Sequence, residues 1–90
     1  MTFKNKTVWI TGASSGIGAA LAIEFAQAGA NVVLSGRRME ALQAVADRCN
    51  TAVKTWIEPL DVTEQSRIPI LAQANIEKTG GIDIMVNNAR

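Results

Sequence analysis

The feature that most constrains this chain is the stretch Thr11-Gly12-Ala13-Ser14-Ser15-Gly16-Ile17-Gly18. It follows a short run rich in apolar residues, Thr7-Val8-Trp9-Ile10, that reads as a strand and that Gly12 ends. From Gly16 to Ala28 the pattern changes period. Ile17, Leu21 and Phe25 recur every four residues with alanines filling the same face, which predicts an amphipathic helix. Three glycines between a strand and a helix have a mechanical reading. Gly12 lets the chain turn out of the strand, Gly16 lets backbone approach a pyrophosphate, and Gly18 lets the helix pack close to a sheet. The helix amino terminus then offers unpaired N–H groups and a positive dipole end to phosphates. An ordinary glycine-rich turn would show glycines too, but the strand before and the helix after are each independently legible, as the phosphate-binding reading requires.

The remaining chain repeats the alternation. Val32-Val33-Leu34 is a continuous apolar run of the kind buried on both faces of a sheet. Met39, Leu42, Val45, Ala46 and Cys49 return to helical spacing, and Ala52 to Leu60 reads as a third strand with Pro59 near its end. A third helix carries Ile68, Leu71 and Ile76 on its apolar face. If Thr63 capped it, Pro69 would sit inside the helix at a cost of roughly 3 kcal/mol. Capping by Ser66 puts Pro69 in the first turn and is favoured. Gly80-Gly81 ends this helix, and Ile82, Ile84, Met85 and Val86 form a fourth buried strand running into Asn87-Asn88-Ala89. Strands alternating with helices imply an α/β fold, a partial Rossmann architecture. Its sheet is parallel, about four strands in order 3-2-1-4, with helices on both faces. The switch point between strands 1 and 4 is where ligands bind in such sheets.

Composition narrows the function. The chain has 90 residues, one domain at most and short of the usual size, so residues 1–90 are read as an incomplete nucleotide-binding half-domain. Nine basic and eight acidic side chains give a net charge of +1, which argues for neither nucleic acid nor a membrane surface. No apolar run reaches signal-peptide or transmembrane length, and the lone Cys49 cannot form an internal disulfide, so a cytoplasmic protein is expected. The absence of histidine removes His-based metal sites and a Ser-His-Asp triad, and no metal is expected.

The end of the second strand speaks to the cofactor. An acidic residue about 20 residues past the loop holds the ribose 2′-hydroxyl in NAD-binding folds of this type. Here Ser35-Gly36-Arg37-Arg38 stands in that place, without a carboxylate. A guanidinium offers a planar fork to a 2′-phosphate, so NADP is expected over NAD. The same arginines could instead simply solvate the start of the second helix.

Glycines at the first, fifth and seventh positions resemble the classical short-chain dehydrogenase/reductase family, whose loop reads Thr-Gly-x-x-x-Gly-x-Gly. The extended members' Thr-Gly-x-x-Gly-x-x-Gly is not matched. The resemblance covers about Lys6 to Ala89. It implies that Gly12, Ser14, Ser15, Gly16, Ile17 and Gly18 line the pyrophosphate, and that Arg37, seconded by Arg38, meets the 2′-phosphate. By the same resemblance Asp61 and Val62, in Leu60-Asp61-Val62, flank the adenine, although Asp61 could equally cap a turn. Asn87-Asn88-Ala89 resembles the family's Asn-Asn-Ala-Gly, where the first asparagine steadies the sheet and the segment, here Asn87 and Ala89, lines the ribose.

The resemblance breaks at Arg90, where the family has glycine. The family's catalytic serine and Tyr-x-x-x-Lys pair have no counterpart, because the chain contains no tyrosine and Ser14, Ser15, Ser35 and Ser66 fall in the wrong segments. The expectation is therefore the NADP(H)-binding portion of an oxidoreductase that moves hydride between NADP(H) and an alcohol or carbonyl, inactive alone. A non-catalytic nucleotide-binding module or a decayed remnant is the alternative. Family members are usually homo-oligomers, and a fourth strand with an open edge would make this chain prone to self-association.

Overall fold

The computed structural model describes residues 3–14, 16–49, 51–60 and 67–88. The elements run β1 (Thr7–Thr11), α1 (Gly16–Gln27), β2 (Asn31–Leu34), α2 (Met39–Arg48), β3 (Thr55–Ile57), α3 (Ile68–Thr79) and β4 (Ile84–Asn87). The four strands form one parallel sheet in the order β3-β2-β1-β4, with Val8 beside Val32 and Ile84, and Val33 beside Trp56. This is the α/β arrangement the alternating pattern predicts.

Side-chain alternation along the strands splits the core in two. Val8, Ile10, Val32 and Leu34 pack beneath α1 and α2, against Ala19, Ala22, Ala26, Leu42 and Val45. Trp9 and Val33 point the other way and meet Leu60 and Leu71, with Trp56, Ile68, Ala72 and Ile82 at the margin. One face is thus covered by two helices and the other, among the described residues, by α3. Side chains at the lower end of the sheet pin the middle strand. The Thr7 N–H donates to the Asp83 carboxylate at 2.8 Å and the Asp83 N–H returns to the Thr7 carbonyl at 2.9 Å.

Four expectations are corrected by this packing. Ile17 does not share the buried face of α1 and is 64% exposed. The helix turns Gly18, Ala19, Ala22 and Ala26 inward, while Leu21 and Phe25 flank that line. Only small residues fit where the helix lies this close to the sheet. Ile76 is exposed on α3, and the inward position four residues after Leu71 is taken by Asn75. That shift follows from α-helical spacing, since Leu71 and Asn75 lie on one face. β3 is three residues rather than nine. The Lys54 N–H is diverted to the Asn31 side chain at 2.9 Å, and Pro59 has no N–H to offer a ladder. The sheet hydrogen bonds continue past β3 in irregular form, from Glu58 to Leu34 and from Leu60 to Gly36. β4 is an edge strand and not fully buried. Ile84 and Val86 are half-buried against the α1 side, and Met85 is 42% exposed. Pro69 does fall in the first turn of α3. The favoured cap, Ser66, and its rival Thr63 lie outside the described residues.

Burial also raises the pKa of the Cys49 thiol, which packs near the Ala22 carbonyl, so the reactive thiolate is disfavoured. No helix among the described residues is long and apolar enough to cross a membrane.

Two expected outcomes follow from this architecture. Asn75 is fully buried, and neither its amide oxygen nor its nitrogen has a hydrogen-bond partner among the described residues. An unpaired buried polar group costs about 1–3 kcal/mol, so Asn75→Leu should raise the urea midpoint, with a gain of about 1 kcal/mol or more in stability. A lower midpoint would show that the amide has a partner in solution. The outer edge of β4 carries unpaired backbone next to the exposed Met85. Concentration-dependent elution by light-scattering chromatography is therefore expected, and Met85→Lys should suppress it, as charges on edge strands do.

Candidate nucleotide-binding site

The upper end of the sheet is where β1, β2 and β4 deliver their carboxyl ends, and the crossovers diverge there. From β1 the chain passes through α1 and α2 to the β2 and β3 side, whereas α3 leads to β4 on the opposite side. The gap this leaves above the strand ends is the crevice that open α/β sheets use for ligands.

The glycine loop rises from β1 into this crevice. Gly12 and Gly16 both adopt left-handed backbone, φ 64 and 60, a region that costs residues with a Cβ about 1–2 kcal/mol. Their surroundings differ. A side chain on Gly12 would press on the Asn88 carbonyl oxygen at 3.1 Å, whereas nothing lies within 4 Å of the place a Gly16 Cβ would occupy. Gly16 therefore opens onto free space at the first residue of α1. That is the cradle a pyrophosphate needs beside unpaired N–H groups and the positive helix end. Gly18 is the opposite case. A Cβ there would run into the Gly12 carbonyl oxygen, with the Asn88 side-chain nitrogen at 2.8 Å. The residues present fit a dinucleotide phosphate at this loop.

The loop is held from both neighbouring strands. On the β4 side the Thr11 hydroxyl donates to the Asn87 side-chain oxygen at 3.1 Å and accepts the Asn88 N–H at 3.1 Å. The Asn88 amide reaches the Gly12 carbonyl at 3.4 Å. On the β2 side the Ala13 N–H donates to the Ser35 carbonyl at 2.9 Å. Gly36, next in line, is bonded through its carbonyl to the Leu60 N–H at 2.8 Å. It also lies so near Ser14 that a Cβ would sit 3.4 Å from the serine oxygen. The end of β2 is thus stitched to the glycine loop on one side and to the tail of β3 on the other.

Beyond Gly36 the chain surfaces abruptly. Ser35 and Gly36 are buried, while Arg37 and Arg38 are exposed, immediately before α2 begins at Met39. Neither guanidinium is paired with a carboxylate among the described residues. Both are available to an anion at the amino end of α2.

The structure brings together Gly12, Ser14, Gly16, Gly18, the Arg37-Arg38 turn and Asn87 around one rim. Ile17 is exposed on the first turn of α1. Ser15, Asp61, Val62 and Ala89 lie outside the described residues. Sequence reasoning missed the Thr11 hydroxyl, the Asn88 amide and Ser35, whose roles depend on partners 26 to 77 residues away. A shallow cleft of about 390 Å³ between α1 and α2 shares Ser14 and Gly16 with the loop, but it continues down the helices through Ala19, Ala44 and Arg48. It is not the crevice above the strand ends. Among the described residues no group of three His, Cys, Asp or Glu residues could hold a metal ion.

Comparison with known proteins gives a consistent result. The family model of short chain dehydrogenases matches residues 6–90. An uncharacterized oxidoreductase of Staphylococcus epidermidis is 44% identical over 86 residues, which is 96% of this chain and 36% of that protein. Dehydrogenase/reductase SDR family member 7 of Mus musculus is 43% identical, covering 90% of this chain and 25% of that protein. The chain therefore spans about a quarter to a third of the length of these relatives. Among solved structures, a hydroxysteroid dehydrogenase from Escherichia coli superposes with a TM-score of 0.88 at 38% identity, over 98% of this chain and 38% of that one. A metagenomic short-chain oxidoreductase in complex with NADP gives 0.89 at 32% identity, over 99% and 41%.

The two helix glycines should separate in mutagenesis. Gly18→Ala forces α1 off the Gly12 carbonyl and should destabilise the fold by about 1–3 kcal/mol or more, the range for overpacking. Gly16→Ala meets no atom and should cost only the left-handed backbone, about 1–2 kcal/mol. Thermal melts of the two variants would test the order, and equal losses would contradict the close approach at Gly18.

Proposed function

Since this chain belongs to the short-chain dehydrogenase family, we propose that its 90 residues form the NADP(H)-binding portion of an oxidoreductase. The observation that carries the reading is the pairing of an open Gly16 at the start of α1 with an exposed Arg37 at the end of β2. The first suits a pyrophosphate, and the second suits a 2′-phosphate where NAD binders place a carboxylate.

In this reading Gly12, Ser14, Ser15, Gly16, Ile17 and Gly18 surround the pyrophosphate. Arg37, with Arg38 beside it, takes the 2′-phosphate. Asp61 and Val62 border the adenine, and Asn87 and Ala89 border the ribose. The bound nicotinamide supplies or accepts a hydride, and the reaction of the whole protein is the interconversion of an alcohol and a carbonyl compound. The relative whose structure holds NADP supports this cofactor class by likeness. A cytoplasmic location agrees with the free, buried Cys49.

A second reading is a nucleotide-binding module without catalysis. The absence of any tyrosine in the chain favours it for these residues taken alone, since the family's general acid has no candidate among them.

Arg37→Asp separates NADP from NAD recognition. Losing a charge-assisted hydrogen bond of about 1.5–3 kcal/mol should weaken NADPH by roughly 10- to 150-fold in a fluorescence titration. NADH should be nearly unaffected or bind more tightly. An equal loss for both nucleotides would remove Arg37 from the site.

A further inference from the structure

Trp9 carries a polar atom into the layer beneath α3, where the buried side chains are mostly apolar, and unlike the Asn75 amide that atom has a partner. It lies in the middle of β1, 1% exposed, on the face covered by α3 with Val33, Leu60 and Leu71. Its indole N–H donates to the Ser35 hydroxyl at 2.8 Å, and Ser35 is itself fully buried. Ser35 is not a passive acceptor. Its N–H donates to the Ile10 carbonyl at 2.9 Å and its carbonyl accepts the Ala13 N–H at 2.9 Å. One residue therefore ties β1, the glycine loop and the root of the Arg37 turn together, and Trp9 fixes its remaining side-chain group from below.

We infer that the Trp9–Ser35 pair positions the Gly36-Arg37-Arg38 turn, making Trp9 a positioning residue for discrimination between 2′-phosphorylated and 2′-hydroxyl nucleotides. The inference rests on the NADP(H) reading of the site. Arg37 is two residues from Ser35, and between them Gly36 is held by the Leu60 N–H at 2.8 Å. A guanidinium fork discriminates only if its root is fixed, because an arginine on a loose turn loses in ordering entropy what the phosphate contact gains. Ser35 and Gly36 supply that fixed root below an exposed side chain. The pair is also matched. Removing either member leaves the other's polar atom buried without a partner, so the two cannot be exchanged independently for apolar residues.

The test is a set of titrations of the 90-residue chain with NADPH and with NADH, read by isothermal titration calorimetry. Trp9→Phe keeps an aromatic ring and removes the donor, and Ser35→Ala removes the acceptor. Each should reduce the NADPH-to-NADH affinity ratio by about fivefold, the size expected for one buried hydrogen bond. Ser35→Thr, which keeps the hydroxyl, should retain the ratio. The double variant should lose no more than either single one, as coupled partners do. Amide exchange gives a readout without nucleotide, since Ser35→Ala should speed exchange of the Ala13 N–H if the strut holds the loop. If Trp9→Phe fails to fold, Ser35→Ala carries the test alone. A ratio unchanged in the single variants, or equal losses of both nucleotides, would reduce Trp9 to ordinary core packing. A starting chain that binds NADPH no better than NADH would remove the NADP(H) reading, and the positioning role with it. A normal preference that survives both substitutions removes the positioning role alone.

Discussion

The approach of α1 to the Gly12 carbonyl is the constraint on which the rest depends. Gly18 has no room for a Cβ, and the line Ala19, Ala22 and Ala26 continues the same tight contact down the sheet. Because the helix lies this low, its first turn points its unpaired N–H groups into the space above β1. The loop then has to turn back through left-handed backbone at Gly12 and Gly16. A larger residue at Gly18 would lift the helix and tilt its amino-terminal end away from the strand tips. Packing and recognition are thus one geometric condition, met by the absence of side chains.

The distribution of polar side chains follows from the same geometry. β1 is buried throughout, and the only polar side chains it contributes, besides the indole N–H, are Thr7 and Thr11 at its ends. Each end is used as a fastening. Thr7 meets Asp83 where the sheet begins, and Thr11 meets Asn87 and Asn88 where it opens. Hydrogen bonds at these points fix β4 to β1 although, among the described residues, β4 has a neighbour on one side only. The central residues are left free to be apolar, and the layers above and below can close on them.

What the sequence makes legible is the part governed by local rules. The loop glycines, the unbroken Val32-Val33-Leu34 run and the Pro69 that must sit in a first turn each carry their structural meaning within a few residues. The alternation of elements then dictates a parallel sheet in the order β3-β2-β1-β4. What the sequence conceals depends on depth and on distant partners. A four-residue apolar spacing nominates Ile17 for the core, but the contact is so close that only Gly18 and the alanines enter it. Ile76 fits an apolar stripe, yet the turn of α3 that faces the sheet is set by Leu71 and carries Asn75 with it. The apolar run of β4 likewise overstates its burial, because hydrophobicity does not say how many neighbours a strand has. Ser35 could not be read as a junction at all, since its three hydrogen bonds come from Trp9, Ile10 and Ala13, more than 20 residues away.

Binding a dinucleotide and moving a proton make different demands on a chain. Phosphate recognition at a helix start uses backbone groups and absent side chains, so a loop, a helix and two flanking strands suffice. Discrimination at the 2′ position, as proposed for Arg37, would add one cation on a fixed root. Proton transfer needs a titratable group of suitable pKa held within reach of the reacting carbon's oxygen. The 90 residues include no tyrosine and no histidine, and Cys49 is buried on the α1 and α2 side. Of the carboxylates, Asp83 is engaged with the Thr7 backbone and Glu58 with Lys78 at 2.8 Å. In the proposed reading the residues at the glycine loop and the Arg37 turn would meet the adenosine-phosphate half of a dinucleotide, and those at the end of β4 would face its nicotinamide half.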